Sequence, residues 1–152
     1  MLASVSKNRQ LSLYFRWSYL LDYASKFSNI DSSKFISDFL THNKDAIDPE
    51  KLRSKDFYYI PLFTQEVHSK LVFTVSVSQD CQFVATGSRD KRVRVFQVFK
   101  EEGQGFEVKE IWVHRMKHSV RAVEFLQNQK RVLAIGLDNG KVLLVDLKGG
   151  IF

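Results

Sequence analysis

The sequence has very little cysteine and no long apolar run. Among its 152 residues there is a single cysteine, Cys81, which excludes an internal disulfide and a zinc site built from cysteines. The most apolar N-terminal stretch, LSLYFRWSYLLDYA, is interrupted by Arg16 and Asp22 and is shorter than the roughly 20 apolar residues of a membrane span. It also lacks the small-residue cleavage site of a secretory signal. These absences predict a protein of the cytoplasm, and also of the nucleus, without a membrane partner.

Catalytic and cofactor motifs are absent as well. The sequence contains no nucleophile elbow, no paired carboxylates and no lysine-bearing phosphate loop. His114 and His118 have a zinc-like spacing, but they flank a predicted loop without a carboxylate or cysteine at ligand spacing. Gly103 and Gly105 lack the third glycine of a dinucleotide loop and open a strand instead of a helix. We therefore predict a non-enzymatic protein with no catalytic, cofactor-binding or metal-binding residue.

Charge and composition favour a folded protein with an acidic partner. The hydrophobic fraction of 44% is enough for a core. The net charge of +6 favours RNA or an acidic protein surface, although a moderate excess is also common on ordinary soluble domains. A basic cluster stands out, consisting of Arg89, Lys91, Arg92 and Arg94. These side chains either contact a partner or RNA phosphates, or they form an ordinary solvated hairpin turn. No aromatic stacking pattern accompanies them, which favours the second interpretation.

Residues 1–56 carry a helical pattern. Leu13, Trp17 and Leu20 recur at three- and four-residue steps, which predicts one apolar helix face. A second short helix is predicted after the candidate caps at residues 31–33, with a stripe formed by Phe35, Ile36, Phe39 and Leu40. The aromatic first helix either docks a partner or packs against the rest of the chain. We predict a short helical N-terminal segment.

The pattern changes at Phe57 to short strands. Runs rich in Val, Ile, Phe and Thr are separated every eight to twelve residues by turn-forming clusters. The predicted strands are FYYIPLF, LVFTVSV, QFVATGS, RVRVFQV, FEVKEIW, VRAVEF, RVLAIG and KVLLVDL. The last is an almost continuous apolar run, which is expected for a strand buried on both faces. The fold class is therefore mainly β over residues 57–152.

Two copies of one pattern occupy this region, over residues 57–98 and 107–148. They repeat with a period of about 49 residues, close to one propeller blade. The aligned pairs are His68 with His118, Ala85 with Ala134, Gly87 with Gly136, Asp90 with Asn139, and Phe96-Gln97 with Val145-Asp146. With a histidine near its start and a GS-x-D turn before its last strand, the pattern resembles the WD-repeat β-propeller family.

This resemblance implies roles for particular residues. It implies that His68, Thr86 or Ser88, and Asp90 join in a hydrogen-bonded network that rigidifies the blade. Phe96 stands at the family's tryptophan position and cannot supply an indole N–H. In the second copy, His118 and Asn139 hold the corresponding positions without a tryptophan, so that blade must depend more on apolar strands.

The blade count predicts an incomplete propeller. Because the outer strand of a blade comes from the next repeat, residues 71–113 are expected to form one complete blade. The last three strands are expected to form a second blade that lacks its outer strand. FYYIPLF is expected to belong to a preceding blade outside the sequence. Closed propellers typically use about four to eight blades, so this partial propeller should expose apolar faces and be marginally stable alone.

Within the WD-repeat family, the sequence most resembles the WD-repeat subunits of Elongator, the complex that modifies wobble uridines of transfer RNA. The similar segments are VHSKLVFTVSVSQDCQFVATGSRDKRVRVF, KHSVRAVEF and LAIGLDNGKVLLVDL. They span roughly residues 60–148, and the helical first half departs from the family's pattern. The resemblance implies a scaffold that binds other protein subunits, with any RNA contact indirect. The alternative is an unrelated WD-repeat adaptor that is associated with RNA.

Overall fold

A computed structural model describes residues 1–16, 41, 59–101, 105–127, 129, 131–148 and 150–151. The elements are eleven β-strands: β1 Leu2–Val5, β2 Gln10–Arg16, β3 Tyr59–Glu66, β4 Val72–Val77, β5 Phe83–Ser88, β6 Arg92–Glu101, β7 Gly105–Arg115, β8 Val120–Phe125, β9 Val132–Leu137, β10 Val142–Asp146 and β11 Gly150–Ile151. The part of the chain described here contains no helix long and apolar enough to span a membrane.

The strands form three antiparallel sheets. The first sheet has the order β1-β2-β3, the middle sheet β4-β5-β6-β7, and the last sheet β11-β10-β9-β8. Strand β1 packs against β4, and β4 and β5 pack against β8, so the sheets stack in chain order. This arrangement of successive antiparallel sheets confirms the prediction of a mainly β, propeller-like fragment.

The middle sheet is covered on both faces because its side chains alternate between two cores. Val84 and Phe96 pack toward the first sheet with Leu11 and Leu13. Their neighbours along the same strands point the other way, into a cluster shared with the last sheet and made of Phe83, Ala85, Val93, Val95, Met116, Val120, Val123, Phe125, Leu133, Ile135, Leu137 and Val145. All six residues of β5 are consequently buried.

The predicted N-terminal helix is wrong where the structure describes it. Leu11 and Leu13 are 0% and 1% exposed and alternate with the less buried Ser12 and Tyr14, which is the period of a strand. Strand β2 pairs with β1 on one side and with β3 on the other. The three- and four-residue spacing of the apolar residues also fits a helix. The pairing of β2 with the distant strand β3 decides in favour of the strand. Trp17, Leu20 and the second predicted helix lie outside the described residues.

Two parts of the predicted blade count also need correction. Residues of FYYIPLF lie in β3, and the first sheet that contains β3 is built from the N-terminal strands of this same chain. The last sheet has a short outer strand, because Ile151 pairs with Val145 and Gly150 with Asp146. The sequence pattern does not reveal either strand, because β1 lies in the segment predicted to be helical and β11 has only two residues.

Candidate functional site

A buried hydrogen-bonded network connects the middle sheet to the segment that precedes it. His68 lies between β3 and β4, Thr86 on β5, and Asp90 in the turn from β5 to β6. Asp90 Oδ2 is 3.0 Å from His68 Nδ1, and Thr86 Oγ1 is 2.8 Å from His68 Nε2. An ionised carboxylate only accepts, so Nδ1–H of His68 donates to Asp90 and the Thr86 hydroxyl donates to Nε2. His68 thereby joins two elements that are far apart in sequence.

Asp90 also organises the backbone around it. Its Oδ2 accepts the backbone N–H of Ser69 at 3.1 Å, and its Oδ1 accepts the N–H of Arg92 at 2.9 Å. The Ser88 hydroxyl accepts the N–H of Asp90 at 3.0 Å and donates to the carbonyl of Leu71 at 2.8 Å. The structure thus brings His68, Thr86, Ser88 and Asp90 into one hydrogen-bonded network, in which the bond between His68 and Thr86 is buried.

The electrostatics of the network favour a neutral histidine beside an ionised aspartate. Burial lowers the pKa of His68 below its ordinary value, against the opposing effect of the hydrogen bond and charge of Asp90. Burial alone would raise the pKa of Asp90, but hydrogen bonds from His68 and from the backbone outweigh it and bring that pKa below its ordinary value. A neutral His68 can accept from Thr86 and donate to Asp90 at the same time.

This neutral state predicts a loss of stability in mild acid. Because folding lowers the pKa of His68 from 6.5, the unfolded chain binds more protons below that pH. The contribution of His68 is therefore fully present above pH 6.5 and declines as the pH falls. Urea midpoints at about pH 7.5 and about pH 5.5 should show a drop in the wild type and a smaller drop in His68→Gln, since the substituted side chain does not titrate.

The exposed His118 provides the control for this pH experiment. His118→Gln removes a histidine outside the network and should keep the wild-type difference between the two midpoints. An equal drop in wild type and His68→Gln would show that another group carries the pH dependence.

Phe96 does not contribute a polar group. It is 4% exposed and packs in the core between the first and middle sheets. A phenyl ring in this position adds apolar burial where an indole would also add a donor. The side-chain hydrogen bond described for Thr86 is therefore the one to His68.

The last sheet has no equivalent of this network. His118 Nδ1 lies 3.4 Å from Asp138 Oδ1, and both side chains are substantially exposed. Asn139, which the repeat aligns with Asp90, uses its Oδ1 to accept the N–H of Lys141 at 3.2 Å. The hydroxyl position of Thr86 is taken by Ile135, which is fully buried. Apolar packing replaces the buried hydrogen bonds in this sheet.

The same tight turn recurs at the equivalent place in each of the three sheets, between β1 and β2, β5 and β6, and β9 and β10. In residues 6–9, 88–91 and 137–140, the backbone N–H of the last residue donates to the carbonyl of the first at 3.1, 3.2 and 3.1 Å. The last residues, Arg9, Lys91 and Gly140, have φ values of 67°, 67° and 80°. The first turn marks a copy of the pattern that sequence analysis missed, although Ser6 and Arg9 align with Ser88 and Lys91 without a gap.

A chain of hydrogen bonds shows that these turns lie at one end of the stacked sheets. The Arg9 carbonyl accepts from Val67, and the Lys91 carbonyl accepts from Met116, which begin the connections leading into the next sheets. The first connection bonds to the second turn through Leu71 and Arg89, and the second connection bonds to the third turn through Ser119 and Asp138. We call this end the basic end, because its exposed side chains include Lys7, Arg9, Lys70, Arg89, Lys91, Arg92, Arg115, Lys117 and Lys141.

The predicted basic cluster is divided by the structure. Arg89, Lys91 and Arg92 are exposed at the basic end. Arg94 forms an ion pair with Glu110 and has only 19% of its side chain exposed, and its Nε is buried without a hydrogen-bond partner. Arg94 is therefore not one of the exposed side chains of the basic end. Its contact with Glu110 arises from pairing of β6 with β7, which the spacing of the basic residues does not reveal.

Residues 59–97 match the model of the family described as "WD domain, G-beta repeat". The match covers 39 of the 152 residues. It contains the whole His68 network and ends within β6, and the neighbouring sheets repeat its strand pattern. No curated protein sequence matches the chain.

The chain is similar to the β-propeller domain of Cps50 (Swd1) from Myceliophteria thermophila, with 17% sequence identity and a TM-score of 0.49. The similarity covers 65% of this chain and 28% of that one. The chain thus spans less than a third of that neighbour, and a likeness of this size does not indicate a shared function.

Proposed function

We propose that this chain is a non-catalytic scaffold segment that binds other protein subunits of a multiprotein complex. The WD repeat carries the proposal, because its buried His68 network and double-sided core hold the connecting turns in fixed positions. A rigid framework with exposed turns suits binding, since little conformational freedom is lost when a partner docks. Among the described residues, no group of three or more His, Cys, Asp and Glu side chains could hold a metal ion.

We further propose that the complex is Elongator. This part of the proposal rests on particular segments of the WD repeats: the VHS opening at Val67, the GSRDK turn at Gly87, and the AIGL-x-NGK hairpin that ends at Lys141. The corresponding scaffold would act in the cytoplasm, or also in the nucleus, and would support the modification of transfer RNA without contacting the reacting uridine.

Purification of the tagged full chain from cells tests this proposal. We expect Elongator subunits to co-purify and to remain bound after ribonuclease treatment and in 300 mM salt, about twice physiological ionic strength, because protein contacts should hold them. Recovery of a stable chain without any other Elongator subunit would contradict the Elongator assignment. Recovery without any stoichiometric protein partner would contradict the scaffold role.

The basic end favours a second candidate, an RNA-associated WD-repeat adaptor. Its exposed lysine and arginine side chains come from three sheets, so they form a broader positive surface than the turn at Arg89 alone. Under this alternative, the co-purified material contains RNA, ribonuclease releases it, and the triple variant Arg89→Ala, Arg92→Ala, Lys117→Ala loses it. Lys148→Ala is the matched control, because Lys148 is exposed beyond the opposite end of β10.

A further inference from the structure

One face of the last sheet is apolar and open. Val142 and Leu144 on β10 are 70% and 43% exposed, while Val145 on the opposite face is completely buried. Register pairing places Gly136 opposite Val142 and Ala134 opposite Leu144, so all four lie on the same face. Ala122 and Glu124 of β8 continue this face on the other side of β9. We call it the open face.

The open face repeats a face that is covered elsewhere in the molecule. In the middle sheet, Gly87 pairs with Val93 and Ala85 with Val95, which is the same arrangement of small and branched residues. Ala85, Val93 and Val95 are all 0% exposed because the last sheet packs on them. The open face therefore has the shape and chemistry that, one sheet earlier, accept another β-sheet.

The apolar run KVLLVDL supports the same conclusion. Its continuous apolar character is typical of a strand with both faces buried, yet only one face of β10 is covered in the structure. Exposed apolar patches of this kind usually mark interaction surfaces. The sequence of β10 thus fits a covered state of the sheet.

A second copy of the chain, stacked on the last sheet in the same order as the three sheets, would cover the open face poorly. In that order, the free face of its first sheet would lie on the open face. The free face of the first sheet carries Ser4, Ser12 and Thr64, and Thr64 Oγ1 donates to Ser12 Oγ at 3.1 Å. Val142 and Leu144 offer no hydrogen-bonding group, so burying these hydroxyls against them would remove the hydroxyls from water at a cost.

The chemistry of the internal contact specifies a better cover. The last sheet covers the middle sheet with branched aliphatic and phenylalanine side chains, and its β8 donates backbone N–H groups to hydroxyls of β4. Val123 N–H bonds to Thr74 Oγ1 at 3.2 Å and Phe125 N–H to Ser76 Oγ at 3.1 Å. On the open face, Glu124 is the equivalent of Ser76, because Glu124 pairs with Ala134 as Ser76 pairs with Ala85. A carboxylate there favours an N–H donor or a basic side chain.

We propose that the open face docks a β-sheet of a partner protein. The facing side of that sheet carries branched aliphatic and aromatic residues, with an N–H donor or a basic side chain opposite Glu124. This inference rests on the proposed scaffold function and names the surface through which one subunit is bound.

A tandem variant of the full chain tests whether the open face accepts such a sheet. Ile151 pairs with Val145 as Glu110 pairs with Phe96, so a copy of residues 112–152 appended after Phe152 continues the natural register. In the test variant, Leu144→Asp is placed only in the appended copy, whose own outer face is thereby made polar. In the matched control, Leu144→Asp is placed only in the original copy, where it blocks docking.

The two tandem proteins have the same composition, so their difference reports docking. We expect the melting temperature of the test variant to exceed that of the 152-residue chain by about 5 °C or more, with weaker binding of an apolar dye. We expect no such rise for the control. Equal melting temperatures of the two tandem proteins would overturn the proposal whether or not cellular partners are found.

Sedimentation of the unaltered chain provides the second arm. A monomer across the concentration range supports a partner protein as the occupant. A dimer that Leu144→Asp dissociates would overturn the assignment to a partner, because a second copy would then occupy the open face.

Discussion

Gly87→Ala is expected to destabilise the protein by about 2 to 3 kcal/mol, through overpacking between the middle and last sheets. A Cβ atom at Gly87 would lie 2.5 Å from Val120 Cγ1 and 2.7 Å from Thr74 Cγ2. Thr74 lies beside Gly87 in the middle sheet, whereas Val120 is fully buried on β8 of the last sheet, so the contact with Val120 can be relieved only by moving the last sheet away. Denaturant unfolding, with the m-value checked for a change in cooperativity, measures the effect.

The repeat supplies a matched control for this substitution. Gly136 is equivalent to Gly87 but lies on the open face, where an added Cβ would meet Ala122 Cβ at 3.3 Å. Gly136→Ala should cost less than about 1 kcal/mol, because no second sheet restricts the adjustment. If the two substitutions cost the same, the close packing of the sheets at Gly87 is not what limits the side chain there.

Asp90→Ala is expected to cost about 3 kcal/mol, since it leaves several donors without an acceptor. The donors are the ring N–H of His68, which is completely buried, and the backbone N–H groups of Ser69 and Arg92. Asp90→Asn should recover part of the loss, because an amide oxygen can still accept one of these hydrogen bonds. Chemical denaturation of the three proteins at neutral pH measures the order.

Asn139→Ala is the control for the loss of Asp90. Asn139 occupies the same place in the repeated turn, but its side chain accepts one exposed hydrogen bond from Lys141. We expect a cost of about 1 kcal/mol or less. A comparable cost at both positions would mean that the turn geometry, and not the buried network, provides the stability at Asp90.

Local sequence patterns were sufficient for most strands of the middle and last sheets. Alternation in RVRVFQV points to Val93 and Val95 as core residues, and both are completely buried. The GS-x-D turn and the histidine before β4 point to His68, Ser88 and Asp90, which the structure brings together. Local patterns can indicate these residues because the signals that decide them lie within one strand or one turn.

The N-terminal region shows where local patterns fail. Leu11 and Leu13 are compatible with a strand, but Leu13 also fits a helical spacing with Trp17. The strand forms because β2 pairs with β1 and with β3, and β3 follows it only after residues 17–58. The alignment of Ser6 and Arg9 with the second turn is a signal for this copy that is independent of periodicity.

The sequence by itself determined the strands from β4 to β10, their turns and the segment around the His68 network that the WD-repeat model matches. Only the tertiary structure decided that β2 is a strand, that Arg94 forms an ion pair with Glu110, and that one apolar face of β10 is open. Strand and turn formation depend on side-chain alternation and on backbone preferences over a few residues. Which face of a sheet is covered, and which strands pair, depends on strands that are distant in sequence. The residues next to a strand in the sequence do not carry that information.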